Sequence, residues 1–497
     1  MFSLLQFACH RNAFPKCTSL ACLNSRLCHP SFSAAMSTRG VSVQTLPPAG
    51  YFDEPLEVII RGLCPKQTVR LLAEVTDDKG MKFQSSAVYQ ASERGEVSTE
   101  SSPSLGGTYI GVEPTGLLWS LTPASPHNNF TCLDASRPLS VDMKVVSHDE
   151  PEDVLAKVTH QRRFMKYGAE RRVVTDGRLR GTLFIPPGPG PFPGIVDLYT
   201  LRGGPAEPRA SLLANKGFVV LALAFFRYKD LPKQVGQLDL EYFEEGVNFL
   251  KQQPKVNIFM FVFLMTVFNL CLTRKSPIES QRFFLQRILA KKQQVKDGGV
   301  GIISISKSGD LALSMAAFLS TVRAAVTINF CCFNVGFPLA YKGTVIPAFL
   351  PDPQKIVTTD QGLADISQIM PAPSTKEALA SAIPFERATD CHFMFVAAED
   401  DKNWDSVLYA ELAAQRLRDH GKGENVEVVR YPRTGHFLDV PHMPFYPSGF
   451  HAIAGTVVVF GGEAKANAYA QMDLWERVQK FFRKHLDRSD PSFQARL

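Results

Sequence analysis

The chain has 497 residues, which is too long for a single compact core, so the sequence predicts two or three domains. Apolar residues make up 45% and charged residues 21% of it, proportions that are typical of a globular protein in water. The net charge of +6 is small for this length and gives no reason to expect nucleic acid binding. The ten cysteines show no paired or zinc-type spacing, which favours reduced thiols in an intracellular protein.

The two ends of the chain resemble targeting signals for different organelles. Residues 1–52 contain no acidic residue and mix basic residues with serine and apolar residues, as mitochondrial presequences do. We therefore interpret residues 1–40 as a targeting-like or disordered segment. The tail at 491–497 ends in Ala495-Arg496-Leu497, which resembles the tripeptide that the peroxisomal import receptor binds. We expect a peroxisomal location, because translation from Met36 would discard the presequence; mitochondrion and cytosol are the alternatives.

Residues 41–165 have the pattern of an all-β domain. Short runs with alternating apolar side chains occur at 56–61, 68–76, 81–89 and 139–146, and turn sequences separate them. This pattern predicts an antiparallel, immunoglobulin-like sandwich. The sandwich sequence contains no grouping of side chains that suggests catalysis.

Residues 175–490 alternate between apolar strands and helices. The predicted strand at 193–199 runs into a Gly203-Gly204 loop and then into a helix at 209–216. Repeated β-α alternation predicts a doubly wound, mostly parallel sheet. The glycine loop is either an ordinary turn or half of an oxyanion-binding site, since its backbone N–H groups follow the end of a strand.

One buried strand in this second domain ends at a serine and leads directly into a helix. Residues 300–305 are apolar and β-branched, and Ser306 follows them. This layout is typical of a nucleophile elbow, in which a sharp turn lifts the serine hydroxyl above the sheet. The backbone N–H of Lys307 would then face an oxyanion. Ser304 and Ser308 replace the usual glycines, so this stretch alone also fits a polar turn after a buried strand.

An acid and a histidine follow Ser306 in the chain order that α/β-hydrolases use. Asp401 comes after the predicted strand at 392–397, and His436 comes after the predicted strand at 426–431. The order predicts catalysis by these three residues without a cofactor or a metal. For His436 considered alone, a loop histidine without a catalytic role is the alternative.

Residues 257–294 interrupt the β-α pattern. An apolar run at 258–272 precedes a basic stretch, and excising the segment between Val256 and Val295 leaves a normal loop. The apolar run is shorter than the about 20 residues that a membrane-spanning helix needs, so we expect no stable membrane insertion. We interpret the segment as an insertion foreign to the fold, from read-through or a gene-model error. A native loop that touches a membrane is the alternative.

Six short motifs of the chain are distinctive: residues 116–119 (GLLW), 180–186 (RGTLFIP), 191–197 (PFPGIVD), 241–245 (EYFEE), 431–436 (YPRTGH) and 461–463 (GGE). Through them the chain from about residue 41 to its end, apart from the insertion, resembles the type I acyl-CoA thioesterases and bile-acid-CoA:amino acid N-acyltransferases. The resemblance implies a sandwich domain before an α/β-hydrolase domain. It also implies a nucleophile at Ser306, an acid at Asp401 and a base at His436.

The resemblance further implies an acyl-CoA substrate and two alternative reactions. Hydrolysis would release a fatty acid and coenzyme A, with the backbone N–H groups of Lys307 and Gly203 holding the oxyanion. The conjugating members of the family resemble one another in using a cysteine nucleophile, which transfers the acyl group to glycine or taurine. Ser306 therefore favours hydrolysis, because an ester reacts less readily with amines than a thioester does. A third interpretation is an inactive homologue that the insertion disables.

Overall fold

The computed structural model describes residues 40–200, 203–234, 236–253, 299–451 and 454–486. Three predicted segments lie outside the described residues: residues 1–39 of the targeting-like segment, the segment at 257–294 that we interpret as an insertion, and the C-terminal tail at 491–497. What the sequence predicts for those segments stays a prediction. The described residues from Val41 to Leu486 form one compact unit.

The first part of the described chain is a pair of β-sheets. Its strands are β1 (Ser42–Leu46), β2 (Ala49–Tyr51), β3 (Glu57–Arg61), β4 (Thr68–Thr76), β5 (Lys82–Gln90), β6 (Val97–Ser98), β7 (Gly106–Gly107), β8 (Thr122–Pro123), β9 (Leu139–Ser147) and β10 (Val154–Arg163). One sheet has the order β1-β3-β6, and the other has the order β2-β10-β9-β4-β5-β7 with β8 paired to β5. Apart from β2 with β10, the paired strands of these sheets are antiparallel. This agrees with the all-β part that the sequence predicts ahead of the α/β part.

Alternating side chains build the core of these two sheets. In β4 the side chains of Val69, Leu71, Ala73 and Val75 are buried, and the residues between them are partly exposed. The four belong to the same apolar cluster as Val58 on β3, so they face the other sheet. A strand with one buried face requires this period of two.

Strand β10 has a polar sequence in which the sequence analysis predicted no strand. It pairs along its length with β9, and Arg162 near its end is only 1% exposed. The Arg162 Nη2 donates to the carbonyl oxygens of Phe52 at 2.6 Å and Glu54 at 2.8 Å. Arg162 thus binds backbone groups inside the fold and does not face solvent.

The second part is organised around an eight-stranded sheet. The strands from here to the C-terminus are β11 (Glu170–Val174), β12 (Arg180–Ile185), β13 (Gly194–Tyr199), β14 (Val219–Ala224), β15 (Leu238–Asp239), β16 (Val300–Ile305), β17 (Val322–Ile328), β18 (Leu339–Tyr341), β19 (Thr344–Ile346), β20 (Val357–Thr358), β21 (Ala364–Asp365), β22 (His392–Ala398), β23 (Val426–Tyr431), β24 (Ser448–His451) and β25 (Thr456–Val459). The large sheet has the order β11-β12-β14-β13-β16-β17-β22-β23. From β14 to β23 neighbouring strands are parallel, and β11 and β12 are antiparallel to their neighbours. The predicted doubly wound, mostly parallel α/β-hydrolase sheet is confirmed.

Two small sheets and a set of helices complete the described chain. The sheets have the orders β15-β18-β19 and β20-β21-β25-β24. The helices are α1 (Gly116–Trp119), α2 (Glu207–Asn215), α3 (Leu240–Lys251), α4 (Ser308–Phe318), α5 (Lys376–Ala380), α6 (Ser406–Asp419) and α7 (Ala464–Leu486), with 3-10 turns at Pro353–Lys355, Phe385–Arg387 and Gly423–Asn425. None of the helices in the described ranges has the length and apolar character that crossing a membrane requires.

A buried carboxylate joins the sandwich to the large sheet. Glu207 on α2 is 1% exposed and accepts the backbone N–H of Ala135 at 3.0 Å. It also accepts two hydrogen bonds from Arg171 at 2.8 and 2.7 Å and one from the Thr182 hydroxyl at 2.7 Å. A buried carboxylate with this many donors is compensated for its lost hydration, so Glu207 fixes the two parts against each other.

A second buried polar group, His442, lies where a loop of the α/β part meets β10. Its ring shares a small cavity with Phe52 and Arg162. Among the described residues, neither the Nδ1 of His442 nor the Nε and Nη1 of Arg162 has a hydrogen-bond partner. Burial, together with the nearby positive charge of Arg162, lowers the pKa of His442 from 6.5 to about 3.

This lowered pKa predicts loss of stability in mild acid. Between the two pKa values His442 is neutral when folded and protonated when unfolded, so the unfolded state binds more protons. The free energy of unfolding should therefore fall as the pH drops below 6.5, by about 1.4 kcal/mol per pH unit for this group. Denaturant unfolding at pH 7.5 and pH 5.5 measures the change.

In the variant His442→Asn the free energy of unfolding should no longer show this part of the fall with pH, whatever the stability of the variant at pH 7.5. Asparagine tolerates the left-handed backbone that His442 adopts, with a φ of 66°. The exposed His148 supplies the control, since His148→Asn should keep the wild-type slope. An unchanged slope in His442→Asn would contradict the assignment.

Candidate active site

Ser306 occupies a strained turn between a buried strand and a helix. It follows β16 directly, has a φ of 61°, and precedes α4 by two residues. Its backbone N–H donates to the Ile328 carbonyl at 2.9 Å, and its carbonyl accepts from the Gly309 N–H at 2.8 Å. A left-handed backbone is costly for a residue with a Cβ, and such strain is concentrated at functional turns. The chain thus makes the sharp strand-to-helix turn that the sequence predicts, and the role of Ser306 as a nucleophile stays a prediction.

The serines that replace the usual glycines are tied into the fold by their hydroxyl groups. The Ser308 Oγ lies 2.9 Å from the Leu198 carbonyl and 2.8 Å from the Ile305 carbonyl, and it accepts the Thr200 N–H at 3.1 Å. Ser308 therefore connects the elbow to the loop after β13, which carries Gly203. The Ser304 hydroxyl donates to the Val326 carbonyl at 3.2 Å.

The close approach that needs a glycine lies one position later, at Gly309. A Cβ added there would lie 2.4 Å from the Cβ of Phe330, which is shorter than real contacts allow. Helix α4 therefore packs against the chain that follows β17 at a distance only glycine permits. This explains why the glycine of the elbow stands after Ser308 in this sequence.

His436 and Asp401 are in direct contact. The His436 Nδ1 lies 2.9 Å from each carboxylate oxygen of Asp401, and both side chains are almost fully buried. The carboxylate also accepts the backbone N–H of Asn403 at 2.8 Å and the Ser406 hydroxyl at 2.6 Å. Since these groups fix the carboxylate, they also fix the imidazole that bonds to it.

The carboxylates beside Asp401 point elsewhere. Glu399 forms an exposed ion pair with Arg430 at 3.0 Å. Asp400 accepts the Gly462 N–H at 2.8 Å. Of the three adjacent acids, the one that contacts the imidazole is Asp401, the residue that the sequence analysis selected.

Two buried asparagines, which the sequence analysis did not select, hold the loop of His436. The Asn329 Nδ2 donates to the His436 carbonyl at 2.6 Å, and its Oδ1 accepts the Ala398 N–H at 2.8 Å. On the other side, Asn467 in α7 accepts the Gly435 N–H at 3.0 Å and donates to the Phe437 carbonyl at 3.1 Å. In the sequence Asn329 is only the last residue of the run 324–329, which has the pattern of a strand, and that position does not reveal its partners.

Trp404 links Ser306 to the acid. Its indole Nε1 donates to the Ser306 Oγ at 3.3 Å, and its backbone N–H donates to the Asp401 Oδ1 at 3.2 Å. Among the described residues, this indole is the group that hydrogen-bonds the serine hydroxyl, and no direct hydrogen bond joins Ser306 to His436. Catalytic hydrogen bonds are often longer in free enzymes and tighten when substrate binds. The sequence analysis did not select Trp404.

Of the two predicted oxyanion groups, Lys307 lies in the turn between β16 and α4, and Gly203 lies in the loop after β13. The Lys307 side chain is directed away, into a buried ion pair with Asp310 at 2.7 Å, which leaves its backbone N–H as the group next to Ser306. N–H groups at a helix start have no partner inside the helix and can bind an anion. Gly203 has a φ of 79° and follows the Thr200 turn that Ser308 holds.

Comparisons with known proteins identify the family. The family model described as acyl-CoA thioester hydrolase/BAAT N-terminal region matches residues 53–176, and the one described as BAAT/acyl-CoA thioester hydrolase C terminal matches residues 284–488. Acyl-coenzyme A thioesterase 1 of Homo sapiens is 42% identical over 89% of this chain and 96% of its own length. Mitochondrial acyl-coenzyme A thioesterase 2 of Homo sapiens is 42% identical over 89% of this chain and 84% of its own.

A solved structure was also found. The α/β-hydrolase GrgF from Penicillium sp. sh18 matches 64% of this chain and 98% of its own, with a TM-score of 0.35 and 13% identity. The chain is 42% identical to the human thioesterases over most of both sequences, and this identity supports the family that the sequence motifs predict. The chain belongs to the acyl-CoA thioester hydrolase/BAAT family.

Proposed function

We propose that this protein is an acyl-CoA thioesterase, which hydrolyses fatty acyl-CoA to a fatty acid and coenzyme A. The observation that carries the proposal is the buried His436–Asp401 contact beside a serine in a strained strand-to-helix turn. The family membership supports the substrate class, since relatives with about 40% identity are named acyl-coenzyme A thioesterases.

The first half of the reaction acylates the serine. Because Asp401 faces Nδ1 of His436, that nitrogen carries the ring proton and Nε2 is left as the base. Nε2 takes the proton of Ser306 as Oγ attacks the thioester carbonyl. The backbone N–H groups of Lys307 and Gly203 hold the oxyanion. The intermediate collapses as the C–S bond breaks, and the departing coenzyme A sulfur takes the proton from the imidazolium, so Nε2 is free to act as a base again.

The second half of the reaction releases the acid. Water attacks the ester carbonyl of acyl-Ser306 while His436 Nε2 accepts its proton. The second tetrahedral intermediate collapses, the bond to Oγ breaks, and the imidazolium returns the proton to the serine. The fatty acid leaves, and the chain's own groups supply every proton transfer without a cofactor or a metal.

Transfer of the acyl group to glycine or taurine is the alternative reaction. An oxygen ester is less reactive towards amines than a thioester, so Ser306 favours water as the acceptor. An inactive homologue is the second alternative, because the insertion at 257–294 interrupts the sequence before β16.

Loss of the nucleophile or of the orienting acid should remove activity. Ser306→Ala should lower kcat by at least about 10⁴-fold, and Asp401→Asn by about 10³–10⁴-fold, because the amide favours the wrong imidazole tautomer. A thiol-trapping assay of coenzyme A release from a long-chain acyl-CoA gives the rates. Glu399→Gln, an exposed neighbour, is the matched control and should keep wild-type activity. A wild-type protein that neither releases coenzyme A nor reacts with a fluorophosphonate at Ser306 would be the inactive homologue.

The nucleophile should set the balance between hydrolysis and transfer. With excess taurine, the wild-type protein should form mainly free fatty acid, and Ser306→Cys should raise the share of acyl-taurine, since its acyl-enzyme is a thioester. Mass spectrometry of the products measures this share. Acyl-taurine as the main wild-type product would establish the transferase, and an identical share in both proteins would refute the argument from nucleophile chemistry.

We also propose import into peroxisomes through Ala495-Arg496-Leu497. Deleting the three residues should move a fluorescent fusion with a free C-terminus from peroxisomes to the cytosol. The alternative is a mitochondrial location for chains translated from Met1, and the relative named as mitochondrial supports it. Mitochondrial fluorescence that the deletion does not change would favour that alternative.

A further inference from the structure

The group that hydrogen-bonds the proposed nucleophile in this structure is an indole. The Trp404 Nε1 lies 3.3 Å from the Ser306 Oγ, slightly longer than the range of about 2.7–3.2 Å that is usual for an N–H···O hydrogen bond. An indole has one N–H donor and no acceptor, so Trp404 cannot take the serine proton. It can only stabilise electron density on Oγ.

The indole is held in place by the same loop that presents Asp401. The Trp404 and Asn403 N–H groups both donate to Asp401 Oδ1, at 3.2 and 2.8 Å, and Ser406 donates to Oδ2. The ring is half-buried and packs against the apolar core beneath the site. A donor fixed in this way is already oriented before the reaction begins, which is the property that electrostatic catalysis requires.

We propose that the Trp404 indole N–H is a catalytic donor to the Ser306 Oγ, separate from the oxyanion groups, which serve the substrate's carbonyl oxygen. Oγ gains negative charge twice in the proposed reaction: when His436 takes its proton during acylation, and when it leaves the second tetrahedral intermediate. The hydrogen bond strengthens at both moments, because the acceptor becomes charged. In the acyl-enzyme Oγ is an ester oxygen, a weaker acceptor, so the bond favours both transition states over the intermediate between them.

The proposal rests on the proposed function only in that Ser306 must be the nucleophile. It is tested first without acyl-CoA, by the rate at which a fluorophosphonate labels Ser306. That reaction forms an Oγ–P bond and expels fluoride, and it needs the same activated oxygen. Trp404→Phe keeps an aromatic ring and removes the N–H, and its labelling rate constant should fall about 10-fold.

Trp475→Phe is the matched control. The Trp475 Nε1 also donates a hydrogen bond, to the Asp53 Oδ2 at 3.0 Å, but that bond lies at the contact between α7 and the sandwich. This variant loses an indole N–H without losing a contact to Ser306, so its labelling rate should stay within twofold of wild type. A Trp404→Phe rate that is within twofold of wild type, or faster, overturns the proposal.

Steady-state kinetics with a long-chain acyl-CoA then separate catalysis from binding. Trp404→Phe should lower kcat about 10-fold with little change in KM, because the bond forms fully only as charge develops on Oγ. A changed KM with an unchanged kcat would instead make Trp404 a wall of the acyl site and overturn the proposal. If wild-type protein labels at Ser306 but releases no coenzyme A, the proposed function fails and the labelling result for Trp404 still stands.

A measurement on the wild-type protein tests the proposal even if the Trp404 variant does not fold. The chain has three tryptophans, so ¹⁵N-tryptophan labelling gives three indole N–H resonances. Covalent modification of Ser306 should shift one of them strongly, and Trp475→Phe should leave that resonance in place. Three unmoved resonances after complete modification would overturn the proposal.

Discussion

The left-handed turn at Ser306 is the constraint on which the site depends. A residue with a Cβ costs about 1–2 kcal/mol in this backbone region, so its surroundings must enforce it. The hydrogen bond from the Ser306 N–H to Ile328 fixes the turn to the neighbouring strand. Helix α4 then passes so close to Phe330 that position 309 must be glycine. Ser308 hydrogen-bonds to Thr200 in the loop after β13, and so one side chain holds both the turn of Ser306 and the loop that carries Gly203.

The other members of the site depend on loops that have no regular structure of their own. Parallel strands bring their carboxyl ends to one edge of the sheet, but the loops beyond them are free to move unless side chains hold them. An asparagine suits this task because its amide donates and accepts at once. Asn329 and Asn467 bind the chain on both sides of His436, and backbone N–H groups bind Asp401 from its own loop. The imidazole is therefore oriented by the carboxylate and by the backbone that carries it.

The sequence predicted those parts of the molecule that local pattern determines. The alternation in β4 and the strand-serine-helix layout around Ser306 are local signals, and the order of the α/β-hydrolase elements follows from them. Strand β10 was missed because its two fully buried side chains are the polar His160 and Arg162, whose partners lie more than a hundred residues away in sequence. Trp404 was missed for the same reason, since its contact with Ser306 joins positions 98 residues apart. A hydrophobic pattern with a period of two or 3.6 residues does not show which residues far apart in sequence contact each other.

Helix α7 connects the sandwich to the loop that carries His436. Lys465 and Tyr469 contact Glu113 of the sandwich, at 2.6 and 3.2 Å. Asn467, which holds the loop of His436, lies in the first turn of this helix between Lys465 and Tyr469. Any shift of the helix away from the sandwich would carry Asn467 with it and loosen the imidazole. The three predicted catalytic residues lie outside the sandwich, but the sandwich holds in position the helix that fixes the loop of His436.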